Sequence, residues 1–260
     1  YTDDLCPSNA LWIKIMHSTI AHGHVKSIDI SRALEIPGVV KVLTCFDVPD
    51  RPFPTAGHPW STDPGHQDVA DRLLLNRHVR FYGDDVAVVV AETELAAKAG
   101  VAALEVEYDT LPFVLDPVAA MAEGVAQIQE PYPGNVLAHT RVSVGDFENA
   151  IREPDLVKVE GTYDTGTVQH CHIEIANSFA YMEAGKIVVV SSTQIPHIVR
   201  RICSQALGVG FGDIRIIKPY IGGGFGNKQD ALTEPLNAYL TTRVGGRPVK
   251  LAYTREETFA

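Results

Sequence analysis

A chain of 260 residues, 45% apolar and 21% charged, has the composition of a folded globular protein and the length of one large domain or two ordinary ones. Thirty-two acidic residues against 22 basic ones leave a formal charge of −10, which disfavours nucleic acid as a partner, because phosphates call for a basic face. No stretch approaches the ~20 apolar residues of a membrane span and no basic start leads into an apolar run, so a soluble protein with a cytoplasmic address is expected.

Residues 11–16 (LWIKIM) and 38–48 (GVVKVLTCFDV) read as strands rich in β-branched and apolar side chains. Between them 29–34 (DISRAL) reads as a short capped helix that stops at Pro37-Gly38, and His17, His22 and His24 read as loop residues. Residues 49–68, with Pro, Gly, His and Asp and no periodicity, are expected to form a long surface loop. The unbroken apolar run at 85–91 (DVAVVVA) predicts a strand buried on both faces. Thr93 is a fair N-cap for a helix over 94–103, and 104–108 (LEVEY) alternates as the next strand. This first α+β module ends near Pro117.

Pro and charge rise and periodicity fades over 117–160, which reads as a connector. Strands are then expected at 157–163, 178–182 and 186–191. Pro196 suits the start of a helix that runs through Ile198, Ile202 and Ala206 to a stop at Gly208. A strand at 214–217, a helix over 232–242 and a strand at 248–253 complete the second module. The start at Tyr1 without Met and the stop soon after a strand read as part of a longer polypeptide. Cys6, Cys45, Cys171 and Cys203 are too scattered for a zinc or iron–sulfur site and are expected to be reduced and mostly packed among apolar neighbours.

Two clusters carry chemistry. In residues 221–228 (IGGGFGNK) four glycines surround Phe225 between a strand and a helix, so that backbone can approach an anion or oxo ligand closely. The Walker pattern fails here, since Asn227 precedes Lys228 and Gln229 follows it, and the dinucleotide fingerprint lacks its third glycine. A tight structural turn is the bland alternative. In residues 167–174 (TVQHCHIE) an extended backbone would turn His170, His172 and Glu174 to one face. Zinc ligation and plain hydrogen bonding within a cleft are both open for that set, with the cleft favoured.

Together these clusters resemble the large, molybdenum-binding subunit of the xanthine dehydrogenase family, the molybdenum hydroxylases. The likeness extends along the whole chain. It runs from YTDD at 1–4 and EYDTLP at 107–112, through Gln169-His170 with Glu174, to STQIPH at 192–197 and GGGFGNKQD at 222–230.

The resemblance implies a mixed α+β fold in which 1–116 is the hammerhead domain, 117–134 a connector and 135–260 the start of the first molybdopterin-binding domain. It also implies a hydroxylase that oxidises a purine at a carbon beside a ring nitrogen, with water as the oxygen source. Aldehydes, other N-heterocycles, or a non-catalytic role in docking subunits are the alternatives. Gln169 would hydrogen-bond the apical oxo ligand of molybdenum, and Phe225 and Gly226 would bring backbone beside the metal. Phe225 would also wall the substrate channel, with Gln229 where purine-oxidising relatives often carry a glutamate. The family's base, a glutamate, falls beyond the end of this chain, so no catalytic residue is assigned. The cofactor would be molybdenum–molybdopterin, with or without an appended cytosine nucleotide. The [2Fe–2S] centres and FAD would sit on partner subunits of a hetero-oligomer, and the 260-residue piece alone would bind no cofactor and be inactive.

Overall fold

A computed structural model describes residues 1–55, 69–137, 139 and 141–259, so that most of the loop expected at 49–68 lies outside the described residues. The chain divides into two compact units, one made of Tyr1–Pro112 with His170–Ala260 and the other of Phe113–Gln169.

In the first unit the chain forms strands β1 (Leu11–His17) and β2 (Gly23–Asp29), helix α1 (Ser31–Leu34), and strands β3 (Val39–Thr44), β4 (His78–Val79) and β5 (Asp85–Ala91). Helix α2 (Glu94–Ala102) and strand β6 (Glu105–Thr110) follow. The Thr93 hydroxyl accepts from the Ala96 amide at 3.1 Å and caps α2 as its sequence predicts. Strand β3 ends at Thr44 because Asp47 turns back on it, taking both the Thr44 amide and its hydroxyl. Of the histidines expected in a loop, His22 lies in the connection between β1 and β2, whereas His17 ends β1 and His24 lies in β2, paired in register with His78 and Asp109. Only Val25 of β2 is fully buried among its apolar residues, which left a weak alternation to read.

The second unit holds short 3-10 turns and the one-turn helix α3 (Phe147–Ala150), capped by Asp146, and is exposed along most of its length. The strand expected at 157–163 is absent. Val157, Val159 and Tyr163 are solvent-exposed there, so their alternation has no surface to bury against.

Returning to the first unit, β7 (Asn177–Glu183), β8 (Lys186–Ser191), α4 (Pro196–Leu207), β9 (Ile214–Ile217), α5 (Glu234–Arg243) and β10 (Val249–Ala252) follow in order. Pro196 opens α4, and Gly208 closes it in the left-handed region at φ 68°.

One seven-stranded mixed sheet, ordered β3-β5-β1-β10-β7-β8-β9, contains strands from both ends of the sequence, because β10 lies parallel to β1 and antiparallel to β7. A three-stranded antiparallel sheet, β4-β2-β6, stands beside it. Helices α4 and α5 pack on β7–β10, and Leu11, Ile13, Val88, Val90, Val189, Ile202, Leu240 and Leu251 share one core. Ala87 and Val89, on the other face of β5, join Ala33, Val42 and Leu104. Strand β5 is therefore covered on both sides, as its unbroken apolar run requires. Among the described residues no helix is long and apolar enough to cross a membrane.

Candidate functional site

The glycine loop follows β9 and leads to α5, at the edge of the β7–β10 half of the sheet. Residues 167–176, upstream, form no strand, and Cys171 takes a left-handed φ of 50° that breaks the expected alternation. His172 becomes fully buried and Glu174 turns inward, whereas His170 is exposed and Ile173 is 94% exposed. The three-residue face expected at 170, 172 and 174 is thus split. Among the described residues no three His, Cys, Asp or Glu side chains converge as a metal site.

The two inward residues grip the loop instead. Glu174 Oε2 accepts from the Gly222 amide at 2.7 Å and from Lys228 Nζ at 2.9 Å, while the Glu174 amide donates to the Gly222 carbonyl at 3.1 Å. Lys228 is 2% exposed, so this is a buried ion pair whose anion also accepts from the Gly222 amide. His172 Nε2 meets Asn227 Nδ2 at 3.0 Å, which makes Nε2 the acceptor and places the ring proton on Nδ1. Burial holds His172 below the usual imidazole range, and the nearby cations Lys228 and Arg255 add to that effect against its bond with the Glu174 backbone; the ring is neutral near pH 7. Arg255 ties the same segment down by donating to the His172 carbonyl at 2.6 Å. Glu174 Oε1 is buried without a hydrogen-bond partner among the described residues.

The glycines separate into two kinds. A Cβ on Gly222 would stand 2.5 Å from Glu174 Cβ, and one on Gly224 would stand 2.7 Å from Gln194 Cδ, so both are small because protein packs against them. Gly226 has open space where its Cβ would be, yet its φ of 97° is one that other residues rarely adopt. Phe225 itself lies in the left-handed region at φ 49°, with 74% of its surface exposed. Gln229 is exposed beside it, its amide bonded to the Gly226 carbonyl at 3.0 Å. The loop therefore presents backbone, one aromatic ring and one carboxamide outward over a floor of buried charge. Gln169 ends the other compact unit, half-buried.

Gln194, Asn227 and the Glu174–Lys228 pair are the residues that sequence spacing missed. They lie 32 to 55 positions from their partners, and no local pattern joins them.

Comparison with known proteins gives these features a lineage. Residues 128–260 match the family model of the molybdopterin cofactor-binding domain, and residues 1–112 match that of the aldehyde oxidase and xanthine dehydrogenase a/b hammerhead domain. The chain belongs to the molybdenum hydroxylase family. The putative xanthine dehydrogenase molybdenum-binding subunit of Escherichia coli K12 is 47% identical over 260 residues, all of this chain and 34% of that protein. The probable hypoxanthine oxidase of the same organism is 32% identical across all of this chain and 30% of its own length. The solved aldehyde oxidoreductase of Desulfovibrio gigas superposes with a TM-score of 0.88 at 30% identity, over 99% of this chain and 29% of the other. This molybdenum hydroxylase chain thus spans about a third of the length of the curated relatives it matches. The mixed fold expected from the sequence, a hammerhead domain leading into a molybdopterin-binding domain, is the fold observed.

Of the cysteines, Cys203 is buried and Cys6 and Cys45 half-buried, with burial raising the thiol pKa of all three, that of Cys45 to about 11. Cys171 is exposed, and none of the four forms a disulfide.

Proposed function

We propose that the chain is the N-terminal part of the molybdenum subunit of a hydroxylase that oxidises a purine at a carbon beside a ring nitrogen. The observation that carries the reading is the loop at 222–229: two of its glycines are explained by packing, whereas Phe225 and Gly226 keep a strained, open outward face that a structural turn does not need. Such a face fits the edge of a large, oxygen-rich metal cofactor, which a Cβ or a longer side chain would hold off. In this reading residues 1–116 are the hammerhead, 117–134 a connector and 135–260 the beginning of the cofactor domain. The names of the two Escherichia coli relatives support a purine over an aldehyde as substrate.

When bound, a molybdenum–pterin cofactor supplies two-electron hydroxylation with water as the oxygen source. The chain's own residues contribute contact and placement. With the cofactor bound, Gln169 would offer its amide N–H to an oxygen acceptor on it, and Phe225 and Gly226 would present backbone to it. The Phe225 ring walls the path of a flat heterocycle. Gln229 offers a purine edge one donor and one acceptor without charge, a weaker hold on a protonated ring than a carboxylate. The Glu174–Lys228 pair and His172 stay below the loop and fix its floor. The catalytic base, the rest of the pterin contacts, [2Fe–2S] and FAD subunits and a cytoplasmic hetero-oligomer belong to the full-length assembly. The 260-residue piece by itself is inactive and retains no cofactor.

The deciding experiment is elemental analysis of the full-length subunit purified with its co-eluting chains. About one molybdenum per subunit, with iron and flavin on the partners and hypoxanthine or xanthine turned over, is the expected result. A molybdenum-free complex from cells that make the cofactor would overturn the reading and leave the docking role. Turnover of aldehydes alone would correct the substrate.

A further inference from the structure

We infer that Gln194 is a positioning residue, which holds the Phe225–Gly226 turn in the shape offered to the cofactor; the inference rests on the reading of that turn as the cofactor-facing surface. Phe225 carries a Cβ in a left-handed backbone, and its ring is too exposed for packing to enforce that conformation. Two hydrogen bonds, Asn227 amide to Gly224 carbonyl at 2.9 Å and Gln229 amide to Gly226 carbonyl at 3.0 Å, are internal to the loop. They close the turn but tie it to nothing. Glu174 and His172 hold the loop at Gly222, Lys228 and Asn227, and the restraint on Gly226 itself comes from Gln194. Its Oε1 accepts from the Gly226 amide at 3.1 Å, and its backbone N–H donates to the Lys228 carbonyl at 2.9 Å. One residue therefore clasps the loop on both sides of Asn227.

Gln194 is well supported for this task. It lies between the end of β8 and the start of α4, and the neighbouring Thr193 hydroxyl accepts from the Ile195 amide at 3.0 Å. Its carboxamide packs against Gly224, where a Cβ would stand 2.7 Å from Cδ and 3.0 Å from Cγ. The glycine at 224 and the carboxamide at 194 are thus two halves of one fit. A further consequence is that the Gly226 N–H is already committed to Gln194, so the loop meets the cofactor through its lack of side chain at Gly226 rather than through this donor.

The test uses the full-length subunit with its partner chains, in three variants. Gln194→Met keeps the length and removes the acceptor, Gln194→Glu keeps an acceptor oxygen, and Gly224→Ala leaves Gln194 in place but displaces its carboxamide. Hydrogen exchange over residues 222–229, molybdenum per subunit and the thermal midpoint are read together. We expect Gln194→Met and Gly224→Ala to speed exchange at Gly226 at least tenfold and to lower molybdenum retention about tenfold, the scale seen when groups that orient metal ligands are removed. Gln194→Glu should stay within about twofold of wild type in both. Wild-type exchange and metal content in Gln194→Met would overturn the inference, as would a Glu variant that behaves like the Met variant. If Gln194→Met does not fold, the Glu and Ala variants decide the matter by the same readings. A wild-type complex without molybdenum would sink the cofactor reading instead, while exchange at Gly226 would still report whether Gln194 holds the turn.

Discussion

Strand β5 and the glycine loop belong to the same compact unit and are built on opposite terms. From Val86 to Ala91 every residue of β5 is buried, with Val88 and Val90 on one face and Ala87 and Val89 on the other. The loop at 222–229 has few side chains to bury. It is held by the Gln194 carboxamide, the His172 imidazole and the Glu174 carboxylate, which reach across from other parts of the unit to Gly226, Asn227 and Lys228. The strand gains its place from apolar area, which is non-directional and forgiving of neighbours. The loop depends on donors and acceptors with one geometry each, so single atoms matter there.

The comparison can be broken first at the strand. Val88→Asp places a carboxylate among Leu11, Ile13 and Val90 with no cation beside it, and should cost more than about 4 kcal/mol, enough to abolish cooperative unfolding in urea. A soluble, cooperatively folding variant would mean that β5 is not covered on both faces. At the loop, Lys228→Met strands the Glu174 carboxylate under Gly222 and should cost about 3 kcal/mol. Denaturation midpoints compared with Lys228→Arg would show whether charge or volume matters; equal losses in both would argue against the ion pair.

A smaller effect ties the two ends of the first unit together. His17, at the end of β1, sits 3.0 Å from Asp85 Oδ1 and 3.6 Å from Glu257 Oε1, the latter an ion-pair rather than a hydrogen-bond distance. Burial, the largest influence, lowers the His17 pKa, but the two carboxylates outweigh it and raise it to about 10, while Glu257, despite burial, is held down to about 2 by His17, the Thr254 amide and Lys14. The His17 contribution is complete below its ordinary value of 6.5 and lost as pH rises through 10. That of Glu257 is complete above 4.5 and lost as pH falls through 2. Stability should therefore fall as pH rises from 6.5 to 10, and His17→Gln should flatten that slope. An unchanged slope in the variant would assign it to other groups.

The smallest expected change is at Phe225. Replacing it with glycine removes a left-handed Cβ and an exposed ring, and should raise stability by ~1 kcal/mol. Under the proposed function the same variant should lose turnover. A variant that is less stable, or as active as wild type, would show that the ring packs or does nothing.

The strands and helices of the sheet were largely legible from the chain, because β-branched runs such as 85–91 and 186–191 and caps such as Thr93 and Gly208 act over a few residues. Strand β2 was not, since its alternation is interrupted by Lys26, Ser27 and two histidines, and 157–163 misled because alternation is idle where nothing covers it. Of the site, the loop and its Phe225 were legible as a glycine pattern, and Glu174 as a member of a polar cluster. That Glu174 and Gln194 explain Gly222 and Gly224, leaving Gly226 open, was not.

The sequence by itself determined the local elements, the family and the position of the loop, because each is written in residues that lie close together. Only the tertiary structure decided that β10 joins β1 in one sheet, that His172 and Glu174 part company with His170, and that Gln194 takes the Gly226 amide. Those outcomes depend on contacts between residues tens to hundreds of positions apart, where burial and hydrogen-bond geometry choose among partners that no local pattern distinguishes.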